Sequence, residues 1–292
     1  MRCDARRCVR VRSRVGAALL VPCMVALASL GAAAQTEAPA RTAFKVCQDP
    51  NNLPFSNERR EGFENRLAEM LAADIGARVE YTWWAQRRGF VRNTLREGAC
   101  DVIMGVPAGF ELARTSRPYY RSTYVFVSRE DRALDLSSLD DPRLKTLKVG
   151  VQMIGDDFAN TPPAHALSAR GLIRNIVGYS VLDDYSKPNP PAHVMAAVAA
   201  GEVDAAIVWG PLAGYFARRE PVPLAIAPVA PEMDSPSLPF VFDISMAVRR
   251  GDNDRLAVLN EFITRRRADI DRVLDQFGVP RVDAVSHQAR SR

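Results

Sequence analysis

Hydrophobic positions along the chain change their spacing several times, and each change predicts a new element. A short apolar run from residue 44 gives way to apolar residues three and four apart over 63–75, the spacing of a helix that buries one face. An alternating stretch over 79–83 then predicts a strand, and the order repeats. The predicted strands are 44–47, 79–83, 101–104, 123–127, 147–151, 173–177, 204–208 and 242–248, with helices at 63–75, 88–97, from Pro190 to Gly201, and twice between 256 and 277.

The chain builds one kind of unit twice. Gly98-Ala-Cys-Asp101 and Gly201-Glu-Val-Asp204 each stand between a helical segment and a short apolar run. Strands that alternate with helices predict a mainly parallel sheet covered on both faces. We therefore predict an α/β fold of two similar lobes joined by a hinge, with residues 42–130 and 236–284 in lobe 1 and 131–235 in lobe 2.

The N-terminal residues 1–34 have the pattern of a secretory signal peptide. Six arginines precede an apolar stretch over 15–30 and three alanines. The stretch is short for a membrane span of ~20 residues. Without this segment the net charge of +5 disappears, since 33 basic and 33 acidic side chains remain. The sequence thus predicts a periplasmic protein with no nucleic-acid partner, no membrane insertion after signal cleavage, and a disordered tail over 285–292.

Several short motifs resemble a known family. Pro54-Phe55 follows the first strand, Gly62-Phe63-Glu64 opens a helix, and Pro118-Tyr-Tyr120 precedes a strand. Over roughly 44–277 this order is similar to that of the type II periplasmic solute-binding proteins of ABC importers. The resemblance implies two α/β lobes that close on a small ligand around a hinge.

Longer strings carry a narrower resemblance, and they are Cys47–Asn57, Tyr81–Trp84, Gln86–Asn93, Cys100–Pro107 and Arg117–Tyr124. They resemble the solute-binding-like proteins associated with quinoprotein methanol and alcohol dehydrogenases. That family implies a non-enzymatic periplasmic protein that assists the maturation or activation of a dehydrogenase containing pyrroloquinoline quinone (PQQ). The cofactor is expected in the partner enzyme and not in this chain.

The amino-acid binders of this fold supply a reference for the ligand site. Their Thr-x-Glu-Arg motif, whose Arg binds the ligand carboxylate, is replaced here by Ala108-Gly109-Phe110. The position of the acidic residue that receives the ligand ammonium is Trp209. Asp156 and Asp157 stand beside a helix start that usually attracts anions. The sequence therefore disfavours an amino-acid receptor, and leaves an ABC-importer receptor for a neutral or aromatic small molecule, working with a permease, as the alternative.

Loops after strands are expected to form the ligand or partner cleft. Phe55 and Trp209 are favoured because both follow strand ends, whereas Tyr120 is expected near the hinge. Trp83 and Trp84 point to opposite faces of a strand, so we expect one of them in the core. The predicted cleft residues are Asp49, Asn51, Asn52, Phe55, Trp84, Arg88, Gly105, Val106, Pro107, Tyr120, Met153, Asp156, Asp157 and Trp209.

Two cysteines remain after signal cleavage. An oxidising compartment favours a disulfide between Cys47 and Cys100. Against it, the two lie at opposite ends of predicted parallel strands, which would exceed the ~7 Å that bridged Cα atoms allow. The sequence leaves the bridge open. It contains no Gly-x-Ser-x-Gly elbow, phosphate-binding loop or metal-ligand cluster, so no enzyme or metal site is predicted.

Overall fold

The computed structural model describes residues 42–154, 160–181 and 185–282. The predicted signal peptide, the predicted disordered tail, and Asp156 and Asp157 lie outside these residues. The elements in chain order are β1 (Ala43–Gln48), β2 (Asn51–Asn52), β3 (Ser56–Asn57), α1 (Phe63–Asp74), β4 (Arg78–Trp83), α2 (Phe90–Asn93), β5 (Val102–Pro107), β6 (Arg114–Thr115), β7 (Tyr120–Arg129), β8 (Val149–Met153), α3 (Pro162–Ala169), β9 (Ile176–Ser180), α4 (His193–Ala200), β10 (Ala205–Trp209), α5 (Gly210–Ala217), β11 (Leu224–Pro228), β12 (Met233–Ser235), β13 (Leu238–Pro239), β14 (Val241–Val248), α6 (Asn253–Arg265) and α7 (Arg267–Gln276).

One large mixed sheet organises the molecule, in the order β4-β1-β5-β14-β7-β10-β8-β9. In the first half of the sheet, β4, β1 and β5 are parallel and β14 is antiparallel to them. In the second half, β10, β8 and β9 are parallel. Strand β7 belongs to both halves, because Tyr120–Thr123 pairs with β14 and Tyr124–Ser128 pairs with β10. The α/β class is confirmed; the lobe limits stay a prediction.

Helix α1 forms where the apolar spacing predicted a helix. Phe63, Leu67 and Leu71 are fully buried along one side of it, and each buried side chain of this size contributes ~1.5–3 kcal/mol. After the helix, Gly76 has a φ of +68°, a conformation that glycine adopts without strain. The helix thus ends where the sequence places a glycine.

The helix predicted over 88–97 is much shorter. It spans only Phe90–Asn93, after Gly89 in the left-handed region with a φ of +92°. The Thr94 hydroxyl donates to the Phe90 carbonyl at 2.6 Å. Such local side-chain bonds compete with helix continuation, which the apolar spacing alone did not reveal.

Helix α5 begins directly after β10, at Gly210-Pro211, with the proline in its first turn. It packs against the segment Phe277–Val282, which we call the C-terminal strap. The Tyr215 ring stacks on Phe277 with centroids 5.7 Å apart. A Cβ on Gly214 would lie 1.9 Å from the Gly278 carbonyl oxygen, so only glycine permits this approach. The strap also accepts a hydrogen bond at Pro280 O from the Ser122 hydroxyl, at 2.6 Å.

Cys47 and Cys100 form a disulfide with their Cα atoms 5.5 Å apart. The expectation that opposite strand ends would separate them is wrong. The Asp101 N–H donates to the Lys45 carbonyl at 2.8 Å, and the Lys45 N–H donates to the Asp101 carboxylate at 2.9 Å. These bonds hold the turn before β5 beside β1, where it reaches Cys47.

Candidate ligand cleft

A cavity of about 330 Å³ lies between the two halves of the sheet. Its walls come from strand ends and from the loops that follow them, the usual place for a site in an α/β sheet. The lining residues of the first half and its strands are Asp49, Asn52, Phe55, Gln86, Pro107, Phe242 and Ile244. Those of β7 and the second half are Tyr124, Gln152, Ile154, Thr161, Val181, Tyr185, Pro191, Trp209 and Leu212.

Aromatic rings form much of the wall. Tyr124 meets Trp209 edge to face with centroids 5.3 Å apart, and Trp209 meets Phe242 in the same way at 5.9 Å. Phe55 also lines the cavity and is held by an edge contact with the core residue Phe63 at 5.4 Å. Contacts of this geometry fix ring orientation and add ~0.5–1.5 kcal/mol each. The wall is therefore rigid as well as apolar.

Asp49 is the buried acid of the cleft, only 2% exposed. Its carboxylate accepts bonds from the Asn51 N–H at 2.8 Å, the Gln86 N–H at 2.6 Å and the Tyr185 hydroxyl at 2.6 Å. Burial raises the pKa of Tyr185 well above its ordinary value, and the bond to Asp49 raises it further. Tyr185 thus stays a neutral donor, and the carboxylate is already satisfied by the protein.

Asn51 joins the two halves in front of the cavity. Its side-chain N–H group donates to the carbonyls of Tyr185 at 3.3 Å and Lys187 at 2.7 Å. Its side-chain oxygen accepts from the Asn189 N–H at 3.0 Å. The Arg87 guanidinium lies over the Tyr185 ring, 4.8 Å from its centroid. We call the bonds of Asp49 and Asn51 to residues 185–189 the cross-cleft contact.

Gln152 holds the opposite end of the cavity in place. Its side-chain oxygen accepts from the Trp209 N–H at 2.9 Å, and its backbone carbonyl accepts from the Thr161 hydroxyl at 2.6 Å. The Trp209 backbone N–H can only donate, so the side-chain atom of Gln152 that it contacts is the amide oxygen, and the amide nitrogen points the other way. Its nitrogen has no hydrogen-bond partner among the residues described.

The cavity wall carries little charge. Among the described lining residues Asp49 is the only acidic side chain, and none is lysine or arginine. A buried charge is tolerated only when it is paired and hydrogen-bonded. Among the described residues of this wall, neither a ligand carboxylate nor a ligand ammonium finds an unoccupied side chain of opposite charge.

Glu64 lies behind the cleft, on α1, and is 8% exposed. Its carboxyl group faces Gly105 so closely that a Cβ there would lie 2.1 Å from Glu64 Oε1. Burial raises the pKa of Glu64 to about 8; the adjacent Gln48 side chain opposes this rise and the Asp49 carboxylate adds to it. At neutral pH most of Glu64 is protonated. Gly105 is needed here for space, and its carbonyl accepts from the Gln86 side chain at 3.5 Å.

Several residues predicted for the cleft lie elsewhere. Trp84 is 42% exposed outside the cavity wall, and Trp83 is half-buried with its ring stacked on Tyr81 at 4.6 Å. The expectation that one of these tryptophans is core is therefore wrong, because β4 is an edge strand. The other predicted residues outside the wall are Arg88, which is exposed, Val106, buried on the opposite face with the disulfide, Tyr120, in the core, and Met153, in a groove beside α3.

The remaining predicted residues are brought together. Asp49, Asn52, Phe55, Pro107 and Trp209 line the cavity, Asn51 forms the cross-cleft contact, and Gly105 contacts Glu64. Sequence reasoning missed other residues of the wall. Gln152 and Phe242 belong to predicted strands or the loops next to them, so the strand-end rule could have found them. Tyr185 lies in a segment without periodicity, and no signal pointed to it.

Metal binding and membrane crossing find no support in the described residues. These residues hold no group of three or more His, Cys, Asp or Glu side chains able to bind a metal ion. Within the same ranges no helix combines the length and the apolar character needed to cross a membrane.

Comparison with solved structures places the fold. The periplasmic binding protein XoxJ from Methylobacterium extorquens AM1 is 37% identical, over 82% of this chain and 100% of that one, with a TM-score of 0.68. MxaJ from Methlophaga aminisulfidivorans MPT is 28% identical with the same coverage and TM-score. An ancestral cationic amino-acid solute-binding protein, 21% identical at a TM-score of 0.63, shares the fold. The chain therefore has the two-lobe fold of the type II periplasmic binding proteins.

Sequence comparison identifies the family within that class. Protein MoxJ of Methylorubrum extorquens is 30% identical over 93% of this chain and 96% of its own length. MoxJ of Paracoccus denitrificans is 29% identical over 82% and 89%. A scan of protein-family models finds no match. The chain belongs to the MoxJ family, the methanol-dehydrogenase-associated branch of the binding-protein fold.

Proposed function

We propose that this protein is a non-enzymatic periplasmic protein that assists the maturation or activation of a PQQ-dependent methanol or alcohol dehydrogenase. It reaches the periplasm through the N-terminal signal segment. Membership of the MoxJ family supports the dehydrogenase link. That the dehydrogenase is the direct partner, and that the protein assists its maturation or activation, is what we propose beyond family membership.

The observation that carries the proposal is the loss of charged ligand handles from a receptor scaffold. Ala108-Gly109-Phe110 stands where amino-acid binders carry the motif with their carboxylate-binding arginine, and Trp209 stands where they carry an acid. Asp49 already accepts three hydrogen bonds, from Asn51, Gln86 and Tyr185. A binding-protein fold without these handles is suited to a task other than amino-acid uptake, because specificity lies in the site and not in the fold.

We place PQQ in the partner enzyme and not in this chain. PQQ is a tricarboxylic acid, and carboxylates are bound in proteins by arginine, lysine or oriented N–H groups. The described residues of the cavity wall include no lysine or arginine to receive it. The fit between the group and this cavity is therefore poor, which supports a cofactor-free accessory role.

A receptor for an ABC importer is the second candidate function. The aromatic wall of Tyr124, Trp209 and Phe242 favours it, since a small apolar cavity with few polar groups is typical of a ligand site. The two functions differ in whether dehydrogenase activity depends on this protein. An accessory protein is needed when alcohol is supplied freely, whereas an importer receptor affects uptake of its own ligand only.

The test is deletion of the gene in its own host. Dye-linked alcohol dehydrogenase activity of the periplasm is expected to fall at least several-fold, with the dehydrogenase polypeptide still exported and PQQ supplied in the medium. A plasmid copy of this chain should restore it. Purified protein should also bind the purified apo-dehydrogenase in biolayer interferometry. Unchanged activity together with no measurable complex would reject the role.

A further inference from the structure

We infer that the cavity binds a small, neutral, planar aromatic molecule that carries one hydrogen-bond-accepting group, such as a carbonyl or carboxamide. The inference deepens the second candidate function, a ligand site in the cleft, and rests on nothing about the dehydrogenase. It assigns Trp209 and Phe55 to the ring, and Gln152 and Tyr124 to the acceptor.

Cavity size and wall select the body of the ligand. About 330 Å³ lies at the lower end of the ~300–1,000 Å³ found for small-molecule sites. The edge-to-face cluster of Tyr124, Trp209 and Phe242 presents fixed rings on one side. Phe55 lines the cavity from the first half, on the loop between β2 and β3. A planar ring meets such a wall with large contact area and little loss of flexibility.

Two polar groups select the functional group. Gln152 is 5% exposed, and its oxygen is taken by the Trp209 N–H, so its nitrogen is left to donate. Within the described part of the chain this nitrogen and the Tyr124 hydroxyl have no hydrogen-bond partner. Burial raises the pKa of Tyr124 well above its ordinary value, so the hydroxyl stays protonated. Both residues line the cavity, so a ligand that supplies an acceptor can bond to these two donors in place of water.

The same wall selects against charge. A ligand carboxylate would enter a cavity whose described lining holds one acidic side chain, Asp49, and no lysine or arginine to pair with it. An ammonium would need the Asp49 carboxylate, which already accepts three bonds. Transfer of an unpaired charge from water costs far more than transfer of a neutral polar group. The ligand class is therefore neutral.

Three probes with one ring test the inference: benzamide, benzoate and benzylammonium. Isothermal titration calorimetry at pH 7 should give saturable binding of benzamide, with both ions at least ~10-fold weaker, the factor expected from one unmet buried polar interaction. Trp209→Leu should abolish benzamide binding. Trp84→Leu is the matched control, because Trp84 lies outside the cavity wall, and should bind benzamide as the wild type does.

A second pair of variants tests the polar assignment. Gln152→Leu and Tyr124→Phe should each weaken benzamide by ~10-fold, and Tyr124→Phe should leave toluene binding unchanged. Melting curves check that each variant folds, and Tyr124→Phe keeps the test open should Gln152→Leu fail to do so. Equal binding of benzoate, no effect of Trp209→Leu, or no saturable binding of benzamide would each overturn the inference. Because no dehydrogenase is present, these outcomes are separate from failure of the proposed function.

Discussion

The two halves of the sheet are in contact at the front of the cleft and again behind β7. The front contact is made by hydrogen bonds and the rear contact by close packing. At the front, the cross-cleft contact consists of hydrogen bonds from Asp49 and Asn51 to residues 185–189. Behind β7, helix α5 packs on the C-terminal strap through the stacked Tyr215 and Phe277 rings and through Gly214 against Gly278.

This difference between hydrogen bonding and close packing indicates which of the two contacts can open. Hydrogen bonds at a cleft exchange for bonds to water at a small net cost, ~0.5–1.5 kcal/mol each for neutral groups. Close packing does not exchange in this way, because opened apolar surface and lost contacts are not replaced by water. We therefore infer that the rear contact is permanent and that the front contact is the one a ligand or partner competes with.

The largest effect is expected at the rear. Gly214→Ala would gain ~1 kcal/mol from helix propensity alone, but its Cβ would lie 1.9 Å from the backbone oxygen of Gly278. Backbone cannot move aside cheaply, so we expect a net loss of ~3 kcal/mol or more. Urea unfolding measures it.

Gly76→Ala is the matched control for that variant. Gly76 has a φ of +68°, and a Cβ added to it would have no heavy atom within 4 Å. The variant should therefore lose only the ~1–2 kcal/mol of left-handed strain. If Gly214→Ala proved as stable as wild type, the rear contact would not be close-packed.

The rear contact could not be predicted from the sequence, in contrast to helix α1. Helix α1 was predictable because Phe63, Leu67 and Leu71 repeat at helical spacing and Gly76 follows. The position of Gly214 against Gly278 was not, since neither residue has a local pattern that names its partner. Packing across 64 positions of sequence is a property of the tertiary fold, which periodicity does not encode.

The candidate site divides in the same way. Phe55 and Trp209 were predictable because both follow strand ends, and strand ends converge on one edge of a parallel sheet. Tyr185 and its bond to Asp49 depend on how two distant halves are placed, and they join residues 136 apart in sequence. The sequence thus predicted the cavity-lining residues at strand ends, and it did not predict the cross-cleft contact.

An intermediate effect is expected from Glu64, which lies behind the front contact and beside Asp49. Its folded pKa is about 8 against an ordinary value of 4.5. Between these values the unfolded chain has lost the proton and the folded chain keeps it. The free energy of unfolding should therefore fall as pH rises through this window, by at most ~1.4 kcal/mol per pH unit.

Glu64→Gln should remove that slope, because glutamine resembles the protonated acid and does not titrate. Glu69→Gln, on the exposed side of the same helix, is the matched control and should keep it. Chemical denaturation at several pH values between 5 and 8 measures the difference between variants, so other titrating groups cancel. Parallel curves for wild type and Glu64→Gln would show that Glu64 is not held protonated.

The smallest effect is expected at the front contact itself. Tyr185→Phe removes the 2.6 Å bond to Asp49 and leaves that carboxylate its bonds from the Asn51 and Gln86 N–H groups. The expected loss is ~1.5–3 kcal/mol, since the bond is made to a carboxylate. Small-angle X-ray scattering should show a larger radius of gyration, because the front contact is weakened and the rear one is intact. Tyr179→Phe, in β9, is the matched control and should change neither quantity; an unchanged radius in Tyr185→Phe would mean that Asn51 alone keeps the front closed.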